Sequence, residues 1–327
     1  MEAGGRMCML FLNEKDIQKA VTMNDVVDAV DSAYQLYEEN QFQMPHRMHV
    51  SEKENTLLLM PCITTGAIGT KLVTLFPNNK HVPMLQGIVI LNSSETGEVK
   101  GILEGSFLTG LRTGAVGGSA VRHLAKKNAA RLAIIGTGVQ GLYQAVAACS
   151  QRSITDIYLY NRSAEKLPNF ITQLEGWIGT SIQLHPMVTA EEAIKNADII
   201  ITSTSSSEPV LPNKKHLLRN KLIIGVGSYQ PSMQEFPEAL YELTDTILVD
   251  TEHAIAESGD LIYPLAQGLI EPDAVQKIST YIRSEPKPTL GNTIVFKSTG
   301  MALFDVVVAN TIYQMAMVKG VGTALTL

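Results

Sequence analysis

Hydrophobic and polar positions give the chain two successive textures. Between Asn24 and Asn40, apolar and aromatic residues at Val26, Val27, Val30, Ala33, Tyr34 and Tyr37 recur at helical spacing. That spacing predicts one amphipathic helix capped by Thr22 or Asn24. Short β-rich runs follow at Thr56 to Met60, Gly69 to Phe76, Gln86 to Asn92 and Glu98 to Glu104, with Ser94-Glu95-Thr96-Gly97 as a hairpin turn between the last two. From Phe107 to Lys126 the pattern is helical again, and Gly110, Gly114 and Gly118 share a face with Gly117 beside them. Each interior glycine costs about 0.8 to 1 kcal/mol relative to alanine, so a bare face of this kind implies close approach to another backbone or to a ligand.

Beyond residue 130 strands alternate with helices. Leu132 to Ile135, Ile157 to Tyr160, Ile182 to Leu184, Ile199 to Thr202, Lys221 to Gly225 and Thr246 to Val249 read as strands, which predicts an α/β fold with a parallel, doubly wound sheet. Thr189 followed by Glu192 is a capping box opening one of the helices. The last stretch, Gly300 to Lys319, is an apolar helix expected to return to the first part of the chain.

The strand Ala130 to Ile135 runs into Gly136-Thr137-Gly138-Val139-Gln140-Gly141, a G-x-G-x-x-G turn with a helical stretch behind it and a second strand at Asp156 to Tyr160. Gly136 suits the tight turn, Gly138 the approach of a pyrophosphate, and Gly141 the packing of helix on strand. A strand-turn-helix-strand unit of about 30 residues with these glycines is the fingerprint of dinucleotide binding. An acid about 20 residues on usually accepts from the NAD ribose. Here the second strand is followed by Asn161-Arg162-Ser163-Ala164-Glu165-Lys166, with no acid at the usual ribose position. A guanidinium, a hydroxyl and an ammonium there suit a 2′-phosphate, so NADPH is favoured, with NADH also usable.

Composition narrows the classes. Charged residues make up 18% and apolar ones 45% of 327 residues, enough for about two globular domains. The net charge of −6, without a basic cluster, argues against nucleic acid and against an anionic membrane surface. No apolar run reaches the ~18 residues that span a bilayer, and Met7 to Leu12 is too short for a signal peptide. The residues before Met9 read as an upstream extension. Cys8, Cys62 and Cys149 lack metal or disulfide spacing, so the expected setting is cytoplasmic and no metal is expected.

Three cations stand in apolar or small-residue surroundings: Arg47 in Met44-Pro45-His46-Arg47, Lys71 in Gly69-Thr70-Lys71-Leu72-Val73, and Arg112 in Leu111-Arg112-Thr113-Gly114. A buried charge needs a partner, and a carboxylate ligand is one. An exposed charge or a structural ion pair serves equally for each of them taken alone. Strand alternation puts Lys71, Val73 and Leu75 on one face.

Over almost its whole length the chain resembles the ornithine cyclodeaminase and mu-crystallin family. The matching pieces are Met44-Pro45-x-Arg47, Gly69-x-Lys71-x-Val73, Leu108-Thr109-x-Leu111-Arg112-Thr113-Gly114-Ala115, the Gly136 turn, Thr202-Ser203-Thr204 with Pro209-Val210-Leu211, Glu257-Ser258-Gly259-Asp260, and Lys297-Ser298-Thr299-Gly300 with Asp305. The resemblance implies a homodimer of two-domain chains. Residues 1–121 with 302–327 would form a smaller α+β substrate-binding and dimerisation domain, and residues 122–301 a Rossmann dinucleotide-binding domain. It further implies Arg47, Lys71 and Arg112 around a substrate carboxylate, with Arg112, Thr113, Thr204, Ser228 and Lys297 joining the glycine turn at the cofactor.

One loop separates the branches of the family. Cyclodeaminases and the related archaeal alanine dehydrogenases carry an Asp in a pattern like G-G-D-x-P-G-K-x-E. This chain reads Gly227-Ser228-Tyr229-Gln230-Pro231-Ser232-Met233-Gln234-Glu235, with Tyr229 at the Asp position. Deamination needs a base on the substrate amine, whereas reduction of a preformed imine does not. The loop resembles that of ketimine reductases, which implies NAD(P)H-dependent reduction of Δ1-pyrroline-2-carboxylate or Δ1-piperideine-2-carboxylate to proline or pipecolate. An ornithine cyclodeaminase or amino-acid dehydrogenase is the enzymatic alternative, and a non-catalytic small-ligand binding protein of the mu-crystallin type is the other. Glu257 to Asp260 is expected to be structural.

Overall fold

Side-chain caps open three of the helices, and alternating burial marks several of the strands, in the computed structural model, which describes residues 8–326. The chain runs β1 (Cys8–Leu12), α1 (Glu14–Ala20), α2 (Met23–Glu38), β2 (Phe42–Gln43), β3 (Met48–Glu52), β4 (Asn55–Thr64), β5 (Ile68–Leu75), β6 (Leu85–Asn92), β7 (Val99–Glu104) and α3 (Gly105–Leu124). It continues through β8 (Arg131–Ile135), α4 (Val139–Gln151), β9 (Asp156–Tyr160), α5 (Leu167–Ile178), β10 (Gln183–Pro186), α6 (Ala190–Lys195), β11 (Ile199–Thr202), α7 (Lys215–Leu218), β12 (Leu222–Gly225) and α8 (Glu238–Tyr241). The remainder is β13 (Ile247–Val249), α9 (Ala254–Glu257), α10 (Gly259–Ala266), β14 (Val275–Lys277), α11 (Ile278–Arg283), β15 (Ile294–Lys297), α12 (Ala302–Lys319) and β16 (Thr323–Thr326). The upstream extension expected before Met9 falls on residues 1–7, outside the described residues, and β1 already begins at Cys8.

Two compact units divide the chain. One comprises the residues up to Arg112 together with those from Met301 onward, and the other runs from Thr113 to Gly300. The division falls inside α3, as does the expected boundary at 121/122.

In the first unit a mixed sheet runs β16-β1-β7-β6-β5-β4-β2, with β3 also paired to β4. The helix α2 starts at the Thr22 cap, whose side chain accepts from the Asp25 N–H in a capping box. α12 lies on α1, α2 and strands β4 to β6, and its Phe304 meets Tyr34 of α2 edge to face at 5.1 Å between ring centroids. A Cβ on Gly69 would sit 3.0 Å from Val306 of α12, so the bare backbone there lets the helix settle on β5. The covered face of the sheet carries Met60, Cys62, Lys71, Val73 and Leu91, all buried. Its other face is also apolar. Cross-strand pairing sets Met48, Leu59, Leu72 and Ile88 in one row, and Met48 and Ile88 are 56% and 36% exposed.

In the second unit all eight strands are parallel, in the order β10-β9-β8-β11-β12-β15-β13-β14. From β8 the chain goes first to β9 and β10 on one side and then to β11 and β12 on the other. This reversal is the switch point at which such sheets bind ligands, outside the carboxyl ends of the strands. The pattern-based reading omits β14 and β15. β15 inserts between β12 and β13, out of chain order, and is closed off by the buried Lys297. Among the described residues no helix is long and apolar enough to cross a membrane.

The glycines of α3 serve the close approach that their spacing implies. A Cβ on Gly114 would lie 2.5 Å from the carbonyl oxygen of Tyr143 in α4, and one on Gly117 would collide with the Gln144 side chain. Gln144 Nε2 in turn donates to the Thr113 carbonyl at 2.7 Å. Gly114→Ala is therefore expected to lower stability by about 1–3 kcal/mol, because overpacking outweighs the roughly 1 kcal/mol gained in helix propensity. Urea denaturation of the variant checks this, and an unchanged or raised midpoint would contradict the packing argument.

Candidate active site

Lys71 projects from the covered face of β5, where β-alternation sets it in line with Gly69 and Val73. It is 2% exposed. An ammonium in that position needs a counter-charge. Asp305, in the first turn of α12, provides it: Lys71 Nζ lies 2.9 Å from each Asp305 carboxylate oxygen. Arg112, buried near the middle of α3, reaches the same group, with its Nε donating to Asp305 Oδ1 at 2.8 Å. Two cations thus share one enclosed carboxylate.

Electrostatics follow from this crowding. Burial, and then the Arg112 guanidinium, push the Lys71 ammonium down to about 8, although Asp305 pulls the other way. Arg47, on the segment between β2 and β3, lies close enough to lower it further. Both of the other cations singled out from sequence therefore act on Lys71. Cys62, on the neighbouring β4, has its thiol pushed up to about 12 by burial and by Asp305. Asp305 has no role in the sequence pattern beyond its place in a matching motif. It is a lone acid in the first turn of an otherwise apolar helix, and nothing in the pattern says which cations it meets.

The glycine turn of the second unit has the tight turn and the helix-on-strand packing that its spacing predicts. Gly136 has φ of +99°, which favours glycine, and a Cβ on it would strike Ser203 and Thr204 in the loop after β11. A Cβ on Gly141 would fall 2.2 Å from the Gly136 carbonyl oxygen, so α4 packs hard on the turn. Gly138 faces open space and caps α4 without a side-chain bond, leaving helix N–H groups available to an anion. Val139 is exposed, whereas Thr137 is buried and its hydroxyl accepts from Asn161 Nδ2 at 2.7 Å. Gln140 is partly covered, with a buried Oε1 that has no hydrogen-bond partner. Asn161 Oδ1 accepts from the Ser163 N–H, which orders the segment after β9, and Arg162 there is exposed. These features fit a dinucleotide.

Thr204, Ser228 and Lys297 are drawn into a buried charged cluster of the same unit. Lys297, at the end of β15, is fully enclosed, with Nζ 3.2 Å from Asp260 and 3.8 Å from Glu235. Glu235 accepts from the Thr204 N–H and hydroxyl and from the Gly227 and Ser228 N–H groups. Full burial pushes its carboxyl up from the usual range. Asp260 Oδ1 accepts from the Glu235 and Phe236 N–H groups, in keeping with the structural role expected for that segment. Ser228 is buried, its hydroxyl donating to the Met233 carbonyl and meeting Ser258 Oγ at 2.8 Å. Tyr229 beside it is 40% exposed, and partial burial raises its phenol.

Removing the charge that joins Lys71 and Arg112 leaves two buried cations facing each other. Asp305→Asn is expected to cost about 3–5 kcal/mol. Adding Lys71→Met should restore part of that loss, which equilibrium unfolding of the single and double variants measures. No restoration would mean that the carboxylate does not act through Lys71.

With this geometry in hand, the family model for the ornithine cyclodeaminase/mu-crystallin family matches residues 7–320. A Δ(1)-pyrroline-2-carboxylate reductase of Bacillus thuringiensis subsp. konkukian is 37% identical, over 97% of this chain and 99% of its own length. The solved structure of Thermococcus litoralis Δ(1)-pyrroline-2-carboxylate reductase in complex with NADH and L-proline superposes with a TM-score of 0.89 at 29% identity, covering 97% of this chain and 100% of that one. An archaeal alanine dehydrogenase dimer with bound NAD gives 0.87 at 28% identity, covering 98% and 99%. Matched along nearly all its length in sequence and in fold, the chain belongs to the ornithine cyclodeaminase/mu-crystallin family.

Proposed function

We infer that this chain is an NAD(P)H-dependent reductase of cyclic ketimine carboxylates, converting Δ1-pyrroline-2-carboxylate, and its six-membered homologue Δ1-piperideine-2-carboxylate, to the corresponding cyclic amino acids. The observation that carries this reading is the Lys71–Asp305–Arg112 group, in a chain 37% identical to a Δ(1)-pyrroline-2-carboxylate reductase. Two cations against one anion leave a net positive charge, which an anionic substrate completes. Asp305 engages Arg112 through Nε, so the terminal guanidinium nitrogens keep the fork geometry that suits a carboxylate. Arg47 supplies a second guanidinium.

The bound dinucleotide supplies a hydride for C2 of the ring. Lys71 supplies the proton that the ring nitrogen gains, and its ammonium, at about 8, is protonated at neutral pH yet ready to give the proton up. Asp305 holds that ammonium in place. Tyr229, its phenol raised by burial, is not a base at neutral pH, which supports imine reduction over deamination. For the dinucleotide, Gly136, Gly138 and the start of α4 take the pyrophosphate, and Thr137, Asn161 and Ser163 order the adenosine side. Arg162, exposed where β9 ends and without a carboxylate in Asn161–Ser163, favours NADPH while leaving NADH usable. The free thiols of Cys62 and Cys149 suit a cytoplasmic setting.

The first unit also carries the homodimer contact in this reading. The row of Met48, Leu59, Leu72 and Ile88 forms part of an apolar sheet face that a second copy would cover. Light scattering should return twice the chain mass, and Leu72→Glu should reduce it to one chain. A monomeric wild-type protein would remove this assignment.

Incubation with Δ1-pyrroline-2-carboxylate and NADPH should yield L-proline, with NADH less effective, while ornithine and oxidised dinucleotide should release little ammonia. Above about pH 8, where Lys71 loses its proton, kcat/KM should fall about tenfold per pH unit. Efficient conversion of ornithine to proline would overturn the assignment in favour of a cyclodeaminase. Flat alkaline kinetics would remove Lys71 as the proton source.

A further inference from the structure

Glu235 is fully buried, yet it touches the ends of three strands. Its Oε1 accepts from the Thr204 N–H at 2.7 Å and from the Thr204 hydroxyl at 2.9 Å, just beyond β11. Its Oε2 accepts from the Gly227 N–H at 2.8 Å and the Ser228 N–H at 3.3 Å, just beyond β12, and lies 3.8 Å from Lys297 Nζ at the end of β15. The backbone of Glu235 is itself pinned by Asp260 Oδ1, which accepts from the Glu235 and Phe236 N–H groups at 2.7 and 2.9 Å. A Cβ on Gly227 would fall 2.1 Å from the Thr204 carbonyl oxygen and 2.4 Å from Glu235 Oε1, so the two loops are in direct contact around the carboxylate.

This carboxylate is one contact away from the glycine turn. Ser203 donates to the Gly136 carbonyl at 2.7 Å, and a Cβ on Gly136 would lie 2.8 Å from Thr204 Cγ2. In an open parallel sheet the two mononucleotide halves lie on either side of the switch strand. Here β9 carries the adenosine side, and β11 and β12 form the other half.

We propose that Glu235 is a positioning residue for the nicotinamide half of the dinucleotide, acting through Thr204 and through Gly227 and Ser228. The inference rests on the dinucleotide reading given above. All five neighbours of the two carboxylate oxygens are donors, so the function requires two acceptors at once. A glutamine must turn its NH2 either toward Thr204 or toward Gly227, Ser228 and Lys297. Whichever way it turns, one loop at the carboxyl end of the sheet is released while the glycine turn keeps its own fold.

The test is calorimetric titration of wild type and Glu235→Gln with NADH and with ADP, which carries the adenosine and both phosphates but no nicotinamide riboside. Wild type binds both. In Glu235→Gln the Kd for NADH rises about tenfold or more, the size expected for losing one charge-assisted hydrogen bond, while the Kd for ADP stays within about twofold. At saturating NADH the variant's kcat for imine reduction also falls, because the ring is held less well. Thr204→Val removes the hydroxyl that donates to Glu235 and accepts from the Ser206 N–H, and it keeps the test open if Glu235→Gln fails to fold. It should shift NADH in the same direction by a smaller factor and leave ADP unchanged. Equal weakening of ADP and NADH, or unaltered NADH binding in both variants, would overturn the positioning role. Failure of the wild type to bind either ligand would instead overturn the dinucleotide reading beneath it.

Discussion

A buried cation cannot stand on an apolar sheet face without an anion beside it, and the first unit is organised around that constraint. Lys71 occupies a core-facing position of β5 and Arg112 an enclosed turn of α3, so both need the carboxylate of Asp305. That carboxylate arrives on a helix from the far end of the chain. The apolarity of α12 on nearly every side, the bare backbone at Gly69 and the edge-to-face contact of Phe304 with Tyr34 all serve to seat this helix. The same desolvation that makes the ion group costly brings the Lys71 ammonium down toward neutrality. Stability and acid–base chemistry have one cause here.

The second unit handles buried charge differently. Glu235, Asp260 and Lys297 are enclosed together, and most of their bonds go to backbone N–H groups of neighbouring loops. The Lys71 group carries a surplus of positive charge, whereas the Glu235 group carries a surplus carboxylate that is spent on holding the loops still. In the proposed function one is completed by a substrate carboxylate, whereas the other is completed by the protein itself. This difference separates groups suited to touching a substrate from groups suited to shaping the place where it binds.

Local chemistry was legible in the sequence, and long-range partnership was not. The Gly136 turn, the caps at Thr22 and Thr189, and the glycine face of α3 each depend on residues within a few positions of one another, so spacing alone identifies them. Lys71 and Arg112 stood out because a charge in an apolar setting is costly wherever its partner comes from. The partner itself was invisible, since Asp305 lies 234 residues from Lys71 along the chain. Resemblance associates Lys297 with the cofactor, and no spacing shows the carboxylates around it, whose positions depend on β12, β15 and α10 coming together. The pattern does not mark β14, whose three residues include Gln276 and Lys277, or β15, which ends in a charged residue and pairs out of chain order.

The first unit is built from both ends of the chain, which affects how it comes into being on the ribosome. Strands β1 to β7 are made first, but α12 and β16 emerge only after the entire second unit has been translated. At ordinary elongation rates that interval is roughly ten to forty seconds. Throughout it the nascent sheet lacks the helix that covers one face and the acid that neutralises Lys71. The second unit, by contrast, can close its parallel sheet as soon as β15 appears. Vectorial synthesis therefore favours an order in which the dinucleotide-type unit is complete before the ion group can form, with the early strands left for that time as a ready target for chaperones.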